Sequence, residues 1–81
     1  MNSIEKLTTI YNCTWNLPLN QEEIFVRGNF ISDSGEDTYF EVPAIFNEDG
    51  TCDETASLDK VVEFIGHLNR AINTNVLNGV V

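Results

Sequence analysis

The stretch EEIFVRGNFISDSGEDTYFEVPAIFN, residues 22–47, decides the fold. In its first part, residues 22–32, Ile24, Val26 and Phe30 recur with a period of two. In its last part, residues 38–47, Phe40, Val42, Ala44 and Phe46 do the same. That period belongs to a strand with one buried face. The linking segment Asp33-Ser34-Gly35-Glu36-Asp37 has turn chemistry, since Gly reaches positive φ and Asp and Ser side chains bond nearby backbone. The two parts therefore read as an antiparallel hairpin. Pro43 brings no N–H, which places its strand at a sheet edge or a bulge. Asn47-Glu48-Asp49-Gly50 is a second turn signal.

Downstream, Leu58, Val61, Val62, Ile65, Leu68 and Ile72 follow the spacing of an amphipathic helix, and Phe64 and Ala71 widen the stripe. Asp59, Lys60, Glu63, His67, Asn69 and Arg70 fall on the other side. Thr55 or Ser57 is the expected N-cap, with Asp53 and Glu54 at the positive end of the dipole. Arg70 suits the negative end. The helix stops near Asn73 or runs on towards Asn78-Gly79.

The first twenty residues carry two patterns. Asn2-Ser3-Ile4-Glu5 resembles a capping box, and Ile4, Leu7 and Tyr11 have helical spacing. From Thr8 onward Tyr11, Cys13, Trp15 and Leu17 alternate with Asn12, Thr14 and Asn16. The favoured reading is a short helical turn, then a strand over residues 9–17. Leu17-Pro18-Leu19-Asn20 then turns the chain into the hairpin. The expected fold is α+β: a three-stranded antiparallel sheet with one C-terminal amphipathic helix packed on one face. Residues 1–81 form a single domain, and a chain this short buries only about 60–65% of its unfolded surface.

The charge is the distinctive feature. Thirteen Asp and Glu stand against four Lys and Arg, for a net charge of −9. Residues 33–63 carry all of it, with ten acids from Asp33 to Glu63 and one base, Lys60. Elsewhere Glu5, Glu22 and Glu23 balance Lys6, Arg27 and Arg70. Four scattered bases cannot replace the counterions of a phosphate backbone, so direct nucleic-acid binding is excluded, and an anionic membrane for the same reason. The favoured partner is a protein with a basic surface, including one that normally holds nucleic acid. The expected contacts are Asp33, Glu36, Asp37, Glu48, Asp49, Asp53 and Glu54. The alternative is that acids at turns and helix starts only keep the chain solvated.

No motif supports catalysis or a cofactor. Placing Gly50 sixth in a calcium loop puts Ile45 first and Ala56 last, and placing Gly35 sixth puts Phe30 first. Cys13, Cys52 and His67 are too few and too dispersed for zinc. Glu63 stands one turn before His67, as an ordinary surface pair. With no metal, no cofactor and no catalytic residue expected, the chain reads as non-enzymatic. The two cysteines are expected as free thiols in a reducing cytoplasm, with a single bridge as the alternative. Residues 1–20 show no apolar run of signal-peptide or membrane-span length.

Phe25, Ile31, Tyr39 and Ile45 lie on the opposite strand face from the core set, beside Arg27 and Glu41. Either the N-terminal segment folds over this face or it stays open as a dimer or partner site.

A very short chain, a capped N-terminal turn, a small antiparallel sheet, an amphipathic helix, dense acidity at turns and ten Asn together resemble the small acidic inhibitors of bacteriophages, anti-CRISPR proteins and other DNA mimics among them. The likeness is one of organisation and carries no family motif. It implies an inhibitor occupying the nucleic-acid-binding groove of a host protein. The competing reading is a structural or assembly module, a homodimer formed through the open sheet face.

Overall fold

The hairpin forms in the expected register. In the computed structural model, which describes residues 1–20 and 22–77 with side chains through Ile72, β2 spans Phe25–Ile31 and β3 spans Asp37–Pro43 after a first strand, β1, at Thr14–Asn16. The strand order is β1-β2-β3, all antiparallel. Phe25 faces Pro43, Val26 faces Val42 and Ile31 faces Asp37. Val26, Phe30, Phe40 and Val42 are buried on one face, as the period of two requires.

Two hairpin positions differ from expectation. Ile24 is half exposed because it lies beyond the last register pair, Phe25 with Pro43, at the end of the sheet. The second strand stops at Pro43 instead of running to residue 47. Past it, the backbone of Ile45 leaves the sheet and bonds the helix instead. The Oγ of Ser57 accepts from the Ile45 N–H at 2.8 Å and donates to the Ile45 carbonyl at 3.2 Å.

The C-terminal helix, α2, spans Glu54–Leu77. Its N-cap is Asp53, two residues before Thr55 and four before Ser57, the expected caps. The Asp53 carboxylate accepts from the Ala56 N–H at 3.0 Å, and its carbonyl accepts from the Ser57 N–H at 2.9 Å. Ser57 is fully buried instead, as the clamp on Ile45. Leu58, Val61 and Ile65 are buried in the core, while Phe64 and Ala71 stay exposed, so the apolar stripe is narrower than read. Asn69 is buried rather than solvated, and its side-chain oxygen accepts from the Asp33 N–H in the hairpin turn at 3.2 Å. Asn78 and Gly79 lie outside the described residues.

The N-terminal segment is helical for longer than expected, at the expense of the strand. The helix α1 (Ser3–Glu5) is capped by the Asn2 side chain, which accepts from the Glu5 N–H at 2.9 Å. A wide π-helical turn follows over Lys6–Ile10, closed by Tyr11 N–H donating to the Lys6 carbonyl at 3.3 Å. Asn12 then takes φ 47°, a left-handed conformation Asn tolerates, and the chain reverses into β1. Strand β1 is thus three residues rather than residues 9–17. Its alternation still holds: Cys13 is buried, and Trp15 and Leu17 pack on the core.

One core joins all these elements. Leu7, Cys13, Val26, Phe30, Phe40, Val42, Leu58, Val61 and Ile65 form it. Tyr11 meets Phe30 edge-on, with ring centroids 6.3 Å apart. The N-terminal segment therefore lies beside α2 on the inner face of the sheet, where Leu7 and Tyr11 pack, and it does not fold over the outer face. No described helix is long and apolar enough to cross a membrane.

Candidate functional site

The topology decides where the acids stand. Strands β2 and β3 are seven residues each. At about 3.3 Å per residue, the two ends of the hairpin are roughly 20 Å apart. The turn carrying Asp33, Glu36 and Asp37 is at one end. The connection carrying Glu48, Asp49, Asp53 and Glu54 leaves the other. The seven acids thus form two groups rather than one continuous cluster.

The hairpin turn is rigidly built. Ser32 is buried, its N–H donates to the Glu36 carbonyl at 2.9 Å, and its Oγ accepts from the Glu36 N–H at 3.1 Å. Gly35 supplies φ 86°. Asn69 holds the Asp33 N–H from the helix. Asp33, Glu36 and Asp37 present exposed side chains on this frame.

At the other end, Asn47 N–H donates to the Thr51 carbonyl at 2.7 Å and Gly50 N–H to the Asn47 carbonyl at 3.0 Å. An isolated bridge between Phe46 and Cys52 closes the loop. The Asp49 carboxylate accepts from the Thr51 hydroxyl at 2.6 Å and the Thr51 N–H at 2.9 Å, which holds its pKa below the ordinary value. Asp49 and Asp53 therefore build the loop and the cap, while Glu48 and Glu54 are exposed and take no part in either. Glu22 joins this end, lining one surface hollow with Asp49, Gly50 and Thr51. No residue pattern signals that, because the proximity arises only when β1 and β2 bring the connecting loop beside the 47–53 turn.

Other expected pairings resolve differently. Arg70 bonds His67 Nδ1 at 2.7 Å, and Glu63 pairs with Lys60 at 3.9 Å, so the Glu63–His67 pair does not form. Both thiols are free. Burial pushes the Cys13 thiol up to about 11. Cys52 lies 3.6 Å from Ser57 Oγ. Among the described residues, no three His, Cys, Asp or Glu side chains gather as a metal site.

On the outer sheet face, Arg27 pairs with Glu41 at 3.6 Å, and the Tyr39 hydroxyl donates to Glu41 at 2.7 Å. That bond to a carboxylate raises the Tyr39 pKa. Tyr39 is 55% exposed, and Phe25 and Ile31 are half-buried. A groove of about 400 Å³ opens between the end of β3 and α2, beside Phe64. Comparison of the chain with protein-family models, curated proteins and solved structures finds no match.

Proposed function

We propose that this chain is a non-enzymatic, cytoplasmic acidic inhibitor that occupies a basic, nucleic-acid-binding groove of another protein, in the manner of anti-CRISPR and other phage counter-defence proteins. The observation that carries this reading is the pair of exposed acidic ends, Asp33, Glu36 and Asp37 at one and Glu48 and Glu54 at the other, each displayed on a hydrogen-bonded frame. A spacing of roughly 20 Å matches about six phosphate steps along one strand of a duplex, at 3.4 Å each. Fixed charge at that spacing steers association towards a basic channel.

The test uses the chain and its Glu36→Lys, Asp37→Lys, Glu48→Lys variant as parallel baits in host lysate, with mass-spectrometric identification. None of these three side chains holds a turn together. The expected result is a nucleic-acid-handling protein captured by the parent, lost with the variant, and released by salt or by an oligonucleotide. Equal capture by both baits sinks the proposal.

A second reading, a homodimer through the outer sheet face, is favoured by Tyr39 standing exposed there, with no helix among the described residues covering it. Sedimentation at low and high salt separates the two. A salt-insensitive dimer supports the second reading, and a monomer at both removes it.

A further inference from the structure

The strand order leaves one side of β3 unpaired, and no described residue bonds to it. Which groups it offers follows from two bonds at its ends. Ala44 N–H donates to the Ile24 carbonyl, and Ser32 N–H donates to the Glu36 carbonyl. Even-numbered residues of this segment therefore bond towards β2. The odd-numbered ones, Asp37, Tyr39, Glu41 and Pro43, turn their backbone groups outward. Natural edges are protected by proline, by charge or by cover. Here Pro43 removes one donor at the far end, and Tyr39 and Glu41 keep an open N–H and C=O each. On the inner side of this edge lies the apolar groove, floored by Val42, Ala44 and Ile45 and walled by Phe64, which is 40% exposed. On the outer side stand Asp37 and Glu41, with the acidic hairpin turn beyond.

We infer that the β3 edge is a docking site for an extended segment of a partner in which apolar and basic residues alternate. Backbone bonds to Tyr39 and Glu41 add it as a fourth strand. Its apolar residues enter the groove against Phe64. Its basic residues, on the opposite face by the period of two, meet Asp37 and Glu41. Charge selects this occupant over a second copy, because two chains of −9 repel on approach. The inference rests on the proposed preference for a basic partner, but it locates the contact on an edge rather than at the turns.

The probe is a capped heptapeptide of alternating lysine and valine, added to the full chain and followed by amide NMR and hydrogen exchange. The expected result is new exchange protection at Tyr39 and Glu41 and shifts at Phe64. Phe64→Ala weakens binding by about tenfold. A peptide N-methylated along its pairing edge, or one with glutamate for lysine, does not bind. Shifts confined to the acidic turns, with Tyr39 and Glu41 unprotected, overturn the inference while leaving the inhibitor reading standing. So does protection of these two amides that rises with protein concentration alone, which identifies a second copy. Edge protection in a Glu36→Lys, Glu48→Lys variant, which keeps Asp37 and Glu41, together with undiminished capture of the natural partner, leaves the edge and removes the turns.

Discussion

Replacing Ser57 by Ala tests how the acidic loop is fixed to the fold. The Ser57 hydroxyl is fully buried and holds both backbone groups of Ile45, the N–H at 2.8 Å and the carbonyl at 3.2 Å. Removing it leaves a part-buried N–H without its partner, which costs about 1–3 kcal/mol. The carbonyl adds roughly 0.5 kcal/mol, since it keeps the Asp53 N–H at 2.8 Å as a donor. Ala is the better helix former and returns about 0.5 kcal/mol. The net loss is about 2 kcal/mol. An 81-residue domain has about 4–12 kcal/mol in all, so the loss is a large share of it. Urea unfolding followed by circular dichroism should show a midpoint lowered by roughly 1–2 M at unchanged slope. The melting temperature should fall by about 8–16 °C. Hydrogen exchange at Ile45 and across residues 47–53 should quicken in the variant. A stability change under about 0.5 kcal/mol, with exchange there unaltered, would show that the clamp does not anchor the loop.

Other outcomes follow from the same physics. Gly28 faces Trp15, and a methyl group at Gly28 would run into the Thr14 carbonyl, so Gly28→Ala should cost more than the about 1–3 kcal/mol of ordinary overpacking and should loosen β1, read by exchange at residues 14–16. Asn69→Ala should cost about 1 kcal/mol and expose the Asp33 amide to exchange, without moving residues 47–53. The Cys13 thiol has its folded pKa raised from 9.0 to about 11, so its contribution is fully present below pH 9 and is lost as pH rises through 11. Denaturation midpoints measured across that range should fall by the equivalent of about 2 kcal/mol, and Cys13→Val should flatten the fall. A thiol reagent at pH 8 should modify Cys52 well before Cys13.

The sheet was legible because burial enforces its period: Val26, Phe30, Phe40 and Val42 can only face one way once a core exists. The helix was legible for the same reason, but its polar residues were not. Ser57 reads as an N-cap candidate, and Asn69 falls on the polar side of the helical wheel. Both are buried because they serve loops that pack against the helix, a relation set by tertiary contact. The strand expected over residues 9–17 gave way at its start to a π-helical turn over Lys6–Ile10, whose Leu7 is buried in the core, a placement set by tertiary packing. The acidic residues themselves were plain in the sequence. Their division into two ends was not, because it depends on where β3 terminates. Asp49 and Asp53 were expected as partner contacts, yet the Thr51 hydroxyl, two residues on and 2.6 Å from the Asp49 carboxylate, and the N-cap at Asp53 engage each of them within the fold.

That division changes what the charge can do. At physiological ionic strength the Debye length is about 8 Å, so the two ends, roughly 20 Å apart, are screened from each other. Each acts on a partner almost independently. If a rigid basic groove spans both, reversal at one end (Glu36→Lys with Asp37→Lys) and at the other (Glu48→Lys) should weaken binding by factors that multiply. Each should also flatten the salt dependence separately. If only the hairpin end lies in the groove, the Glu48 change should be silent. A strong coupling between the ends would mean that they move together on binding, which the hydrogen-bonded frames of both turns argue against. The double-reversal cycle, measured as affinity at two salt concentrations, therefore reads out the geometry of the partner from this chain alone.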